Sequence, residues 1–284
     1  MTREHTEPVS VVERVSLVLE AFHGTAPMTL ARVTARTGLP RSSVHRLLEQ
    51  LVAAGWLARE GQTYELGVRA YETGQHALRQ NRLLVEALPV MQSLAKSTGL
   101  TVHLGVIDGG DVFYLSRIDG AAAHLLPTLS GSRFPAHLTA LGKSILANGT
   151  ASERAALEKR PLLRATAYSI GSHAQLEIDL NRTRDRGVAY DRQEAVLGIG
   201  CIATSIGAPE HQYGNRAALS LAGPIEQVKL PALVGSIRPA AKYIWDRCVA
   251  AQYEREKSPG GQSRCPASRP SARTPRTIAY FAAG

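Results

Sequence analysis

The segment from Thr29 to Leu66 leaves this chain few folds to choose from. Leu30 and Val33 recur at helical spacing up to Thr37, the run Thr37-Gly38-Leu39-Pro40 breaks the pattern, and Val44, Leu47, Leu48 and Leu51 resume it. Apolar residues three and four apart form one stripe on a helix. The spacing therefore predicts two short helices joined by a tight turn, the second over about 41–54. Thr29 suits the N-cap of the first helix, and Gly38 supplies the left-handed residue that ends it. Upstream, Val11, Val15, Val18, Leu19 and Phe22 follow Ser10 and predict a helix over 11–22, stopped by Gly24 and Pro27. Downstream, Gly55 closes the third helix, and residues 56–59 and 63–66 alternate around Glu60-Gly61-Gln62 as a hairpin. Three helices and a hairpin make a winged helix-turn-helix over residues 8–67.

Charge has to be placed before it can support that reading. The 284 residues carry 33 Lys+Arg against 24 Asp+Glu, a formal net charge of +9, which suggests a polyanionic partner only weakly. Residues 1–66 hold as many Glu as Arg, while 257–284 hold Lys257, Arg264, Arg269, Arg273 and Arg276 and no acid. That tail is rich in Pro, Gly, Ser and Arg, has no helical or strand period, and reads as disordered. The informative charge is local: Arg32, Arg36, Arg41 and Arg46 fall in a stretch without an acid. A helix fits the major groove of B-DNA, and its first turn reaches base edges. Ser42, Ser43, His45 and Arg46 are the candidates to read bases, and Arg36 and Arg41, with helix N-terminal amides, to meet phosphates; the cap residue Thr29 is a further DNA-binding candidate. Arg59, Gln62 and Tyr64 are candidates for wing contacts to backbone or minor groove. The partner these residues imply is double-stranded operator DNA.

Beyond the wing, Leu78, Leu83, Leu84, Leu88, Met91 and Leu94 keep mostly helical spacing. They predict a linker helix over 68–81, a break near 80–82, and a helix opening a second domain over 82–256, with Pro89 as a kink or a new start. Strands are expected over 101–107, 112–118, 196–206 and 216–221. Helices are expected over 139–147, 175–186, 228–237 and 240–254, the last with Pro239 at its start. Strands and helices without strict alternation indicate an α+β sheet domain.

Several motifs in series resemble one family. Thr29-Leu-Ala-Arg-Val-Thr-Ala-Arg-Thr-Gly-Leu-Pro-Arg-Ser-Ser-Val-His-Arg-Leu-Leu is similar to the DNA-binding segment of IclR-family transcriptional regulators. Thr101-Val-His-Leu-Gly-Val-Ile-Asp-Gly-Gly-Asp, Thr139-Ala-Leu-Gly-Lys, Gly187-Val-Ala-Tyr-Asp-x-x-Glu, Gly198-Ile-Gly-Cys-Ile-Ala and Ala218-Leu-Ser-Leu-Ala-Gly-Pro resemble its effector-domain motifs in the family's order. The resemblance covers about residues 8–256. It implies a cytoplasmic homodimer or homotetramer whose GAF-like C-terminal domain binds a small organic acid and adjusts DNA binding, in control of a nearby catabolic operon. By resemblance the ligand is held at Ala140, Leu141, Asp191, Cys201 and Ser220, while a second serine of the pattern is Ala222 here. Gly142 lies in the same helix start, where free N–H groups favour a carboxylate. His137 and Arg133 precede that helix as further polar candidates.

Other chemistries fare less well. Cys201, Cys248 and Cys265 are odd in number, far apart and without a C-x-x-C, so neither a disulfide framework nor a zinc ribbon fits. The histidines are scattered, and no metal or other cofactor is expected. No apolar run approaches the roughly 18 residues of a membrane span. Gly198-Ile-Gly-Cys-Ile-Ala matches a dinucleotide fingerprint in letters, but the residues that follow read as strand instead of helix. Cys201, His103 and Asp191 as nucleophile, base and orienter form an alternative, enzymatic reading that no local signature supports. Lys143, on the first turn of a helix, is expected to be solvated or anion-facing rather than a catalytic amine. A further alternative keeps DNA binding and gives the second domain only an oligomerising role.

Overall fold

A computed structural model of the chain describes residues 10–24, 26–149, 160–207, 217–228 and 230–257. The expected disordered tail after residue 257 lies outside the described residues. The described residues divide after Asn81 into two compact units.

The first unit is a winged helix-turn-helix. Helix α1 (Val11–Glu20) opens with a reciprocal capping box between Ser10 and Glu13, which satisfies two backbone donors at once. Strand β1 (Met28–Thr29) leads into α2 (Leu30–Thr37), where Thr29 Oγ1 accepts from Arg32 N. Gly38 ends α2 at φ 67°, a left-handed backbone that side-chain-bearing residues rarely adopt. Helix α3 (Arg41–Ala53) follows, then β2 (Leu57–Glu60) and β3 (Thr63–Leu66). Strand β1 pairs with β3 and extends the wing to three strands, a pairing that two residues of sequence do not announce. Val18, Phe22, Met28, Val33, Val44, Leu48, Leu57 and Tyr64 close one core. Helix α4 (Val68–Gln80) completes the unit without a buried residue, and Asn81 leaves it at ψ 96°, the break expected near 80–82.

The second unit is built on one antiparallel sheet of order β6-β5-β4-β9-β8-β7. Its strands are β4 (Thr101–Asp108), β5 (Asp111–Ile118), β6 (Arg133–Pro135), β7 (Ala189–Arg192), β8 (Ile199–Ile206) and β9 (Ala217–Pro224). Helices α5 (Arg82–Thr98) and α8 (Leu230–Lys257) pack on one face against Val102, Leu104, Ile202, Leu219 and Leu221. Helices α6 (Ala140–Asn148) and α7 (His173–Arg186) pack on the other against Tyr114, Ala189, Ala203 and Ala218. Alternate residues of each strand serve opposite faces.

One expectation about proline is narrowed, to the alternative without a new start, and one is corrected. Helix α5 runs through Pro89 without a new start, and α8 is one helix through Pro239 where two were expected. Proline removes one donor, to the carbonyl four residues earlier. Pro89 and Val85 are both exposed, as are Pro239 and Gly235, so each unserved carbonyl lies on a side that water reaches. Strands β6 and β7 were not expected; three and four residues are too short for an alternation to show.

Candidate DNA-reading helix and effector cavity

Helix α3 buries Val44, Leu47, Leu48 and Leu51 and thereby turns Arg41, Ser42, His45 and Arg46 outward as exposed side chains, with Ser43 half-buried. Its cap is Pro40, which offers no side-chain acceptor; the Pro40 carbonyl takes the amide of Ser43 at 2.9 Å, and the two amides before it, of Arg41 and Ser42, have no acceptor within the helix and can meet an anion. The wing is fastened to this helix through one carboxylate. Glu49 accepts from Arg59 Nη1 at 3.0 Å and from Tyr64 Oη at 3.3 Å, and the Arg59 guanidinium lies 5.5 Å from the Tyr64 ring centre. Tyr64 is only 3% exposed, which corrects its expected place on the outer wing: the ring fills the core and the hydroxyl is spent on Glu49. Gln62 stays exposed at the wing tip. Arg36 turns one guanidinium nitrogen back to the carbonyl of Ala21 at 2.7 Å, and Thr29 caps α2. Both side chains therefore hold the unit together.

In the second unit, the sheet face beneath α6 collects the polar groups. His103 on β4 stands opposite Ser220 on β9, Ser220 opposite Ala203, and Cys201 on β8 opposite both Ala222 and Asp191 on β7. Directly paired residues share a face, so His103, Ser220, Cys201 and Asp191 point the same way into a cavity also lined by Ala140 and Leu141. The cavity holds about 30 Å³, room for about two waters, so any organic acid enters only if the lining moves. Its roof is the segment that carries Leu126, Pro127 and Thr128. Arg117 fastens that segment: its guanidinium donates to the carbonyls of Ala123 at 2.6 Å and Leu126 at 3.2 Å, and to that of Thr128.

Helix α6 opens at Thr139, whose hydroxyl accepts from Gly142 N at 2.9 Å. The N–H groups of Ala140 and Leu141 have no acceptor within the helix. Gly142 is corrected as a ligand candidate: its N–H is taken, and a Cβ there would stand 2.2 Å from the carbonyl oxygen of Ala136. It lets the helix pack on the preceding turn. His137 is corrected too, since it does not line the cavity and its Nε2 lies 2.8 Å from the Leu163 carbonyl. Arg133 is exposed and pairs with Asp108 at 2.6 Å.

The electrostatics of the cavity follow from burial. Asp191 is 3% exposed; burial, reinforced by the Glu194 carboxylate, pushes its carboxyl up to about 7. Its Oδ1 accepts from Glu194 N at 2.7 Å. Burial and then Asp191 push the Cys201 thiol up. Burial, with Arg117 nearby, pushes His103 down to about 3. Thiolate chemistry needs the opposite bias. His103 moreover directs its nitrogens to Thr128 Oγ1 at 2.8 Å and Ser220 Oγ at 3.5 Å, so no thiol–imidazole pair is assembled. Beside the cavity, Lys143 is fully buried and meets Glu194 at 2.7 Å and Asp179 at 2.9 Å. It faces anions, as expected, but solvation has no part in it. A wider open cleft of about 320 Å³ runs past Asp179, Arg182 and Glu194, whose two acids Lys143 already engages.

The sequence matches the family model of the bacterial transcriptional regulator IclR C-terminal domain over residues 75–245, and that of the IclR helix-turn-helix domain over residues 11–61. The chain belongs to the IclR family of transcriptional regulators. Among its relatives, the Escherichia coli HTH-type transcriptional regulator XynR is 31% identical over 217 residues, 75% of this chain and 85% of XynR. The Escherichia coli transcriptional repressor IclR is 30% identical over 206 residues, 71% of this chain and 74% of the repressor. Among solved structures, an IclR homolog from Microbacterium hydrocarbonoxydans complexed with 4-hydroxybenzoate superimposes with a TM-score of 0.77 at 26% identity, covering 85% of this chain and all of the other. The resemblance read from the motifs is thus correct. As in these regulators, an IclR-type helix-turn-helix precedes an IclR-type α/β domain here, and no helix among the described residues is long and apolar enough to cross a membrane.

Sequence reasoning missed the cavity-lining positions of Tyr114, Thr128 and Phe134 in this IclR-family domain and treated His103 only as a catalytic base. The alternation of Thr101-Val-His-Leu places His103 on the face opposite Val102 and Leu104, which was available as a signal. Thr128 lies in an irregular segment, where no period exists to read.

Proposed function

We propose that this protein reads operator DNA with α3 and the wing, and that a small organic acid bound in the β-sheet cavity changes its affinity for that DNA. Arg46, His45, Ser42 and Ser43 read base edges; Arg41 and the first amides of α3 hold phosphates; Gln62 and the free donors of Arg59 extend the contact through the wing. The acid's carboxylate sits at the start of α6, on the N–H groups of Ala140 and Leu141, with Asp191, Cys201 and Ser220 around it. The single observation that carries this reading is the convergence of those side chains with a helix N-terminus in one cavity. The complex of the Microbacterium homolog with 4-hydroxybenzoate supports the ligand class. A ligand shifts an equilibrium only by its difference in affinity for the two states. The cavity is too small for such an acid as it stands, so binding selects an opened form, and the ligand acts on DNA affinity to the extent that this opened form favours one arrangement of the paired DNA-binding units.

The protein acts in the cytoplasm as a homodimer or homotetramer. Val68, Tyr71 and Leu78 leave exposed apolar surface on α4, which supports a partner copy. The experiment is a gel shift of the full chain on the promoter fragment of the neighbouring gene, with and without candidate acids that raise its melting temperature. Retarded DNA whose affinity responds to such an acid supports the reading. Retardation that no bound acid alters leaves the second domain as an oligomerising platform.

A further inference from the structure

The cavity's lining includes no lysine or arginine among the described residues. Its ionisable groups are Asp191, Cys201, Tyr114 and His103, and burial favours the neutral form of each. One carboxylate can be met by the amides at the start of α6. Beside His103 stands Arg117, but its guanidinium is committed to Asp119 and to the carbonyls of Ala123, Leu126 and Thr128, so a second carboxylate finds no uncommitted positive partner among the described residues, and an unpaired buried charge is costly. The floor also carries a polar group of another kind on β4. There the neutral imidazole of His103, 5.0 Å from the Tyr114 ring centre, has one donor and one acceptor nitrogen. One of these nitrogens lies 2.8 Å from Thr128 Oγ1 and the other 3.5 Å from Ser220 Oγ. Thr128 belongs to the irregular segment of the lining, and a ligand of more than about two waters' bulk that enters on that side displaces it. Once that segment is displaced, His103 is left with a vacant hydrogen-bonding position facing the ligand.

Resting on the reading of the cavity as an effector site, we propose that His103 is its specificity-determining residue. The imidazole takes a hydroxyl of the ligand in the place Thr128 holds, and thereby selects hydroxy monoacids over both plain acids and diacids. A hydroxyl both donates and accepts, so it satisfies the imidazole whichever tautomer is present. A methyl or ring C–H leaves a buried nitrogen unpaired, and a carboxylate brings a charge whose neighbouring cation, Arg117, is already neutralised by Asp119.

Calorimetric titration of the full chain with two matched series tests this: benzoate, 4-hydroxybenzoate and terephthalate; valerate, 5-hydroxyvalerate and glutarate. The hydroxy acid should bind at least tenfold tighter than the plain acid in the series that fits, with the diacid weakest. His103→Leu should bring the ratio of hydroxy to plain acid close to one. His103→Gln, which keeps a neutral donor and acceptor, should hold it above threefold. Equal binding of plain and hydroxy acids by the unmodified protein, or a ratio that survives His103→Leu, overturns the assignment while leaving the effector site standing. Binding of none of the six overturns the effector site together with it. Should the leucine variant fail to fold, the unmodified series and the glutamine variant still decide.

Discussion

Lys143 and Glu194 form a salt bridge inside the second unit: the ammonium of Lys143 lies 2.7 and 2.8 Å from the two carboxylate oxygens. Glu194 also donates its amide to Asp191 on the cavity wall, so α6 and the turn after β7 are tied together beside the cavity. Removing one partner of a buried pair leaves the other charge uncompensated, and Asp179 loses its cation as well. Lys143→Met should therefore destabilise the fold by about 3–5 kcal/mol in urea unfolding. The double variant Lys143→Met, Glu194→Leu should recover part of that loss. A single variant as stable as the parent would contradict the account of this pair.

Asp191 makes stability depend on pH with a definite sign. Its carboxyl titrates at about 7 in the fold against 3.8 as the ordinary value, so between those limits the folded chain holds a proton that the unfolded chain has lost. Stability from this group is full below about pH 4 and falls as pH rises through 7. Asp191→Asn keeps an acceptor for the Glu194 amide and removes the titration. Relative to the parent, the variant should gain about 2–4 kcal/mol between pH 4 and pH 8, read from melting curves. Parallel pH profiles would contradict the assignment.

Gly142 is a packing position. A Cβ there meets the Ala136 backbone at 2.2 to 2.7 Å, and backbone cannot swing aside as a side-chain tip can. Gly142→Ala should cost about 1–3 kcal/mol in denaturant unfolding and disturb the start of α6. Unchanged stability would show that the turn at Ala136 yields more freely than its geometry implies.

On the DNA side, Arg46→Ala should weaken operator binding by about 1–3 kcal/mol. Arg41→Ala should weaken all DNA about equally and lower the salt slope by about one. Tyr64→Phe should leave operator affinity within about twofold while removing about 1 kcal/mol of stability, because its hydroxyl serves Glu49. Titrations at several salt concentrations separate the three. A Tyr64→Phe defect confined to DNA binding would return that residue to the interface.

The winged helix-turn-helix was legible because Val44, Leu47, Leu48 and Leu51 can share a core only on a helix, and Gly38 marks where the turn must be. The floor of the cavity was legible in part: motif order brought Asp191, Cys201 and Ser220 forward, and strand register does place them on one face. His137 and Gly142 were misread because nearness in sequence to the start of α6 says nothing about direction. Each side of that turn is claimed by packing, with His137 on the Leu163 carbonyl and Gly142 against Ala136. Pro239 misled for a related reason, and Pro89 left two outcomes open: a helix runs through a proline more easily where water reaches the freed carbonyl, and exposure is a tertiary fact.

In an effector-responsive regulator, filling the cavity changes DNA affinity. Fluorescence anisotropy of a labelled promoter fragment, titrated with the full chain with and without a saturating acid identified by calorimetry, measures it directly. The expected shift in Kd is about fivefold or more, and Ser220→Ala reduces it. A Kd unchanged while calorimetry shows the cavity filled would contradict it.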